Sequence, residues 1–201
     1  MLDGLTCEPF YKCLPVQGGP GHELRTDILN ELIVCFDLMM NEHRDLMVAL
    51  LEVHLPPRDL YHEEDGVFKR FVYSFQELLR RQGVASQCVW VRQGHETDPY
   101  YRYECAVLLS VYLDVDLDLL LTQANALWAE ELGGPWSSAL VRYCELEDPP
   151  CAVRALVVRS DSQDYCESCS RSFRALSRIA HVEPGDRGAN DEILFGCSLP
   201  W

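Results

Sequence analysis

The run Leu46-Met-Val-Ala-Leu-Leu-Glu-Val-His-Leu55 is almost wholly apolar and is stopped by Pro56-Pro57. Proline fixes φ and has no N–H for a ladder, so the run reads as a central strand that ends at His54. Side chains two apart share a face of an extended chain, which brings Glu52 and His54 out together at the strand's end. A central strand needs neighbours, and Gln87-Cys-Val-Trp-Val-Arg92 and Tyr101 to about Tyr112 supply them. Joined through Gly94-His-Glu-Thr-Asp-Pro99, these two runs read as an antiparallel pair.

Helical spacing accounts for the segments between the strands. Leu24, Ile28, Leu29, Leu32, Ile33, Phe36, Leu38 and Met39 predict a helix from Thr26 to about Asn41. Val67, Phe68, Phe71, Phe75, Leu78 and Leu79 predict a second from about Gly66 to Arg81, closed by Gly83. A third runs from Leu117 to about Leu132, and a closing helix from about Asp164 to Ala180. Short strands are expected at Ala139 to Tyr143, Val153 to Val158 and Ile193 to Ser198. The proline- and glycine-rich residues 1 to 22 read as an irregular arm, and residues 23 to 201 as one domain. The expected fold class is α+β, an antiparallel sheet with helices packed on it.

Composition narrows the function. The chain has 201 residues, 48% of them hydrophobic, enough for a sizeable core. No apolar run approaches the roughly 18 to 20 residues that span a bilayer, and Met1-Leu2-Asp3-Gly4 does not begin an export signal. A soluble cytoplasmic protein without membrane association is expected. Its ten cysteines then read mainly as free core thiols. Cys166-Glu-Ser-Cys169 has the spacing of half a zinc site, for which Cys144 and Cys151 could supply the rest, although the gap between that second pair is wrong for a zinc ribbon. Thirty-two acidic against seventeen basic residues give a formal charge of −15, which argues against general nucleic-acid binding; such charge most commonly serves solubility, and its spread along the chain makes contact with a basic protein partner or mimicry of nucleic acid an option.

Within the run Tyr101-Arg-Tyr-Glu-Cys-Ala-Val-Leu-Leu109, Arg102 and Glu104 share a face, while Tyr103, Cys105 and Val107 point to the other. Two histidines in those places would chelate a cation; arginine and glutamate pair with each other instead. Glu52, His54 and Glu104 are metal-competent types that a rebuilt site could use for Mg²⁺ or Mn²⁺. The plainer alternative is that His54 caps a core strand and the carboxylates meet Arg102, Arg92 or solvent. Phe195-Gly-Cys-Ser-Leu199 holds a nucleophile-like pair but lacks the strand-to-helix elbow of hydrolases, so its glycine reads as a packing residue.

Six segments in order, Leu50-Leu-Glu-Val-His-Leu-Pro56, Val89-Trp-Val-Arg92, Tyr103 to Leu109, Ala126-Leu-Trp-Ala129 with Leu132-Gly133, Ala139-Leu-Val-Arg-Tyr143, and Phe195-Gly-Cys-Ser198, carry a resemblance. From about Thr26 to Pro200 the chain resembles the YagK/YfjJ family, the inovirus replication-protein-like domain of phages and prophages, which is similar to the HUH endonucleases. The resemblance implies a replication-initiator-like fold and nicking of single-stranded DNA through a cation held by a His-x-His strand, a tyrosine nucleophile and a nearby lysine. Here Arg102-Tyr-Glu104 stands in the first motif and Arg178-Ile-Ala-His181 in the Tyr-x-x-Lys position of the closing helix. With the nucleophile missing and a fixed positive charge where the cation belongs, the resemblance implies a degenerate site with Arg102, Glu104, Arg178 and His181 as its altered positions. Three readings follow: an inactive relative acting as an acidic protein-interaction module, with inhibition of a host nucleic-acid-binding complex as its specific form; an active nicking protein with a relocated metal site; and a zinc-stabilised regulator.

Overall fold

A computed structural model describes residues 4–55, 65–93, 102–111, 115–133, 140–148, 151–182 and 195–198. The expected loops at 94–99 and 184–188, Tyr100 and Tyr101, the prolines at 56 and 57, and the acidic pair at 63 and 64 lie outside these residues.

The strand that begins the sequence argument forms where expected. It is β5 (Asp45–His54), preceded by four two-residue strands, β1 (Leu5–Thr6), β2 (Phe10–Tyr11), β3 (Leu14–Pro15) and β4 (Leu24–Arg25), and by helix α1 (Thr26–Glu42). Every residue of β5 between its two ends is buried. Successive side chains enter different cores, since Leu46, Val48 and Leu50 join one cluster while Met47, Leu51 and Val53 join the other. A strand apolar on both faces must be covered on both faces, and helices provide the cover.

After β5 come α2 (Asp65–Arg81), β6 (Ser86–Gln93), β7 (Arg102–Ser110), α3 (Leu117–Glu131), β8 (Val141–Tyr143), β9 (Leu146–Asp148), β10 (Cys151–Val153), β11 (Ala155–Arg159), α4 (Tyr165–Leu176), a 3-10 turn over Ser177–Ala180 and β12 (Phe195–Cys197). The main sheet has six strands in the order β11-β5-β7-β6-β12, with β8 on the remaining stretch of β5's outer edge, and all pairs are antiparallel. The class is α+β. Among the described residues no helix is long and apolar enough to cross a membrane.

On one face α1 packs Ile28, Leu29, Leu32, Cys35, Phe36 and Met39 against the sheet, beside Phe173 and Leu176 of α4 and Ile179 of the turn. On the other, Val67, Phe68, Phe71, Phe75 and Leu79 of α2 and Leu120, Ala124 and Trp128 of α3 build an aromatic-rich core. Phe68 stacks on the fully buried Tyr103 with ring centroids 3.8 Å apart, a contact of about 0.5–1.5 kcal/mol beyond its buried area. Asp116 caps α3 by accepting from the backbone N–H groups of Asp118 and Leu119. Gly83 ends α2 at φ +78°, a conformation that disfavours other residues.

Three expectations need correction. Residues 5 to 25 are not an irregular arm alone: β1 pairs with β4, β2 pairs with β3, and Val16 is buried in the α1 core at 2% exposure. The strand expected over Val153 to Val158 is split at Arg154, its first residue ending a hairpin with β9 and the rest pairing with β5. The closing helix likewise tightens into the 3-10 turn after Leu176.

The glycine of the Phe195-Gly-Cys-Ser segment does pack closely. A Cβ on Gly196 would sit 2.7 Å from Cζ2 of Trp90, inside contact distance, while Ser198 Oγ accepts from the Cys88 backbone N–H and binds Gln76. Gly196→Ala should therefore lower stability by about 1–3 kcal/mol as the indole is forced aside. Urea unfolding followed by tryptophan fluorescence measures it.

Candidate functional site

The site is built where β5 ends and β7 begins. The antiparallel register sets Glu52 opposite Glu104 and His54 opposite Arg102, and on the other side of β7 it sets Gln93 opposite Arg102. Two carboxylates directly across a ladder repel, more so when buried, and the Glu104 and Glu52 side chains are only 8% and 12% exposed. Arginines from three elements offset this. Arg102 Nε is 3.6 Å from Glu52 Oε1 and 3.8 Å from Glu104 Oε1. Arg142, on β8 and in register with Glu52, turns its fork onto Glu52 Oε2, with Nε and Nη2 both at 2.9 Å. From the 3-10 turn, Arg178 Nη2 comes to 3.9 Å from Glu104 Oε1.

The sequence-level candidates Glu52, His54, Arg102, Glu104 and Arg178 thus meet. His54 Nε2 lies 3.0 Å from Glu52 Oε1, an electrostatic contact whose angle does not make a hydrogen bond. Its backbone carbonyl accepts from Trp128 Nε1 at 2.9 Å, which anchors the end of β5 to α3. His181 follows the 3-10 turn and places its Nε2 3.0 Å from His22 Nδ1, so the turn is tied to the N-terminal segment. A bridge between Leu24 and His181 and a bond from the Gln17 backbone N–H to Ser177 Oγ reinforce that tie.

Beside the ion network opens a cavity of about 310 Å³, walled by Arg102, Glu104, Arg178 and His181 and also by Gln17, His22, Gln93 and Glu145. No protein-family model, curated protein or solved structure matches the chain. The chemistry therefore has to be argued from the side chains themselves.

A divalent cation suits this donor set poorly. Glu52, His54 and Glu104 lie together, but three guanidinium groups occupy the space around the carboxylates, and like charge opposes a cation there. Among the described residues no three His, Cys, Asp or Glu side chains are arranged to hold a metal ion. The zinc candidates fare no better: Cys144 is buried, Cys166 is exposed on the first turn of α4, Cys169 is half-buried, and the side chain of Cys151 lies outside the described residues.

Nucleophiles are equally poor. No tyrosine is among the described residues that line the cavity. Tyr103 points into the opposite core, and burial pushes the Tyr143 phenol up to about 12 while its hydroxyl donates to the Leu117 carbonyl. Burial, and after it the charge of Glu104, pushes the Cys144 thiol up to about 11, so it stays protonated and unreactive near neutral pH.

Arg142, Gln93, His22 and Glu145 were not singled out from the sequence. The Arg142–Glu52 and His22–His181 contacts join residues 90 and 159 positions apart, and no local pattern marks them. Arg142 lies in the short strand candidate Ala139 to Tyr143, one of the segments that carry the resemblance, but neither signal points to Glu52.

The ring of His54 is held below the usual imidazole range, first by burial; the Glu52 carboxylate counters this and Arg142 and Arg102 reinforce it. A folded-state pKa below the unfolded one means that the unfolded chain takes up the proton first. Stability is then full above the unfolded value of about 6.5 and falls as pH drops through that value toward the folded pKa. His54→Gln should flatten this part of the stability profile between about pH 5 and 7, as read from unfolding midpoints across that range.

Proposed function

We propose that the chain is a catalytically inactive relative of a phage or prophage replication initiator, of HUH-endonuclease-like fold and related to the YagK/YfjJ family, kept as an acidic protein-interaction module. One observation supports this reading above the others: Arg102 lies between Glu52 and Glu104 at the head of a central strand, and Arg178 reaches Glu104 from the closing helical segment. Two segments about seventy residues apart, which the resemblance takes as metal-binding strand and nucleophile-bearing helix, face one another across one cavity. Each carries a guanidinium where the reaction needs a cation or a phenol.

Such a site keeps the architecture and loses the reaction. A guanidinium gives a permanent charge but cannot bind a water for deprotonation or lower a hydroxyl's pKa through direct coordination. What remains is a rigid sheet, sheathed on both faces and bearing a formal charge of −15 over the whole chain. That charge repels phosphate backbones and attracts basic surfaces. The partner is then a cytoplasmic host protein or complex that binds nucleic acid, whose basic groove the acidic surface would occupy in competition with DNA or RNA.

Incubation of the purified chain with labelled single-stranded DNA and Mg²⁺ or Mn²⁺ should give neither cleavage nor a covalent adduct, and gel-shift titration should show no retention of the DNA. Cleavage that disappears in Glu104→Ala would overturn the proposal in favour of a nicking protein with a relocated metal site at Glu52, His54 and Glu104.

A further inference from the structure

The cavity beside the ion network holds polar groups that the network leaves over. Gln93 is only 6% exposed and lines the cavity, yet its side-chain amide has no hydrogen-bond partner among the described residues. Its amide atoms open onto the cavity rather than being sealed from it, so a molecule there can meet both. Arg178 touches Glu104 only at 3.9 Å, beyond hydrogen-bond reach, so most of its fork of N–H donors stays available. Glu145 is exposed at the cavity wall, and its carboxylate makes no ion pair among the described residues.

The charged lining is balanced, with Arg102 and Arg178 against Glu104 and Glu145. A dianion entering it would meet two carboxylates and the field of a chain at −15. A dication would meet two guanidinium groups. A molecule with one charge of each sign satisfies both halves, and a volume of about 310 Å³ suits a small one.

We propose that this cavity binds a small zwitterion of the free amino acid class, its carboxylate on the Arg178 guanidinium, its ammonium at Glu145, and the Gln93 amide hydrogen-bonded to it. A guanidinium matches a carboxylate with two parallel N–H donors, which gives the ligand its orientation. The Gln93 amide offers both a donor and an acceptor, so it serves either end of the molecule. The inference rests on the reading above in taking Arg102 as the permanent occupant of the cation's place.

Calorimetric titration of the full chain with the common free L-amino acids, each to about 10 mM so that a Kd near 1 mM is seen, tests it. The N-acetyl form, the carboxamide form and inorganic phosphate serve as comparison probes. At least one amino acid should bind, and both capped forms should bind about tenfold or more weakly, since each lacks one charge-assisted contact. Arg178→Gln and Glu145→Gln should each weaken binding by a similar factor. Glu145 is exposed, so its variant should keep the parent's circular dichroism spectrum and unfolding midpoint. Absence of binding by every amino acid, preference for phosphate, or binding undiminished in both variants would overturn the proposal. Metal-dependent DNA cleavage would instead undo the inactive-relative reading, so the two failures are distinguishable.

Discussion

The pairing of β5 with β7, from Leu46 opposite Ser110 to His54 opposite Arg102, is the constraint on which the rest of the molecule depends. Because a strand alternates faces with a period of two, a slip by one residue would exchange every side chain between the two cores. Tyr103 would leave Phe68 and the aromatic cluster, and Glu104 would be driven into it. Burying an unpaired carboxylate among phenyl rings costs far more than a ladder hydrogen bond contributes. The same register that fills the cores therefore also brings Glu52 and Glu104 face to face, and the arginines around them follow from that enforced proximity.

The ion network is best understood as a remedy. Two nearly buried carboxylates on adjacent strands carry a repulsion and a desolvation cost that only opposite charge beside them offsets. Arg142 meets one with a close fork on a single oxygen, whereas Arg102 and Arg178 stand off at 3.6 to 3.9 Å. The close pair holds β8 to β5 where the ladder is only three residues long. The distant pairs are electrostatic, so the close structural tie and the longer-range charge balance belong to different arginines.

Much of this was legible in the sequence, and the reason differs from element to element. Helices α1, α2 and α3 repeat apolar residues over several turns, so their limits agree with periodicity to within a residue or two. The strands β5, β6 and β7 are long and apolar through their middles, with prolines or polar residues as boundaries. Two-residue ladders near the N-terminus escape any periodic reading, since Leu5 and Leu24 find their places only after the chain has folded back. Within the site, Arg102, Glu104, Glu52 and His54 were readable because spacing along one strand implies a shared face. Arg142, Gln93, Glu145 and His22 were not, because their roles come from which strands are neighbours.

Strand β5 has a continuous partner on one edge and a tiled one on the other, where β11 covers Ala49 back to Asp45 and β8 covers Leu51 to Val53. The seam falls at Leu50, whose carbonyl accepts from the Cys144 backbone N–H just beyond β8. The two tiles come from separate stretches of chain, and only β11 is backed by α4 against the larger apolar core. A change at Arg142 in the β8 tile can therefore alter the charge around Glu52 while the β11 tile goes on holding the sheet. An edge divided in this way lets the foundation of the molecule and its chemical character change at different rates.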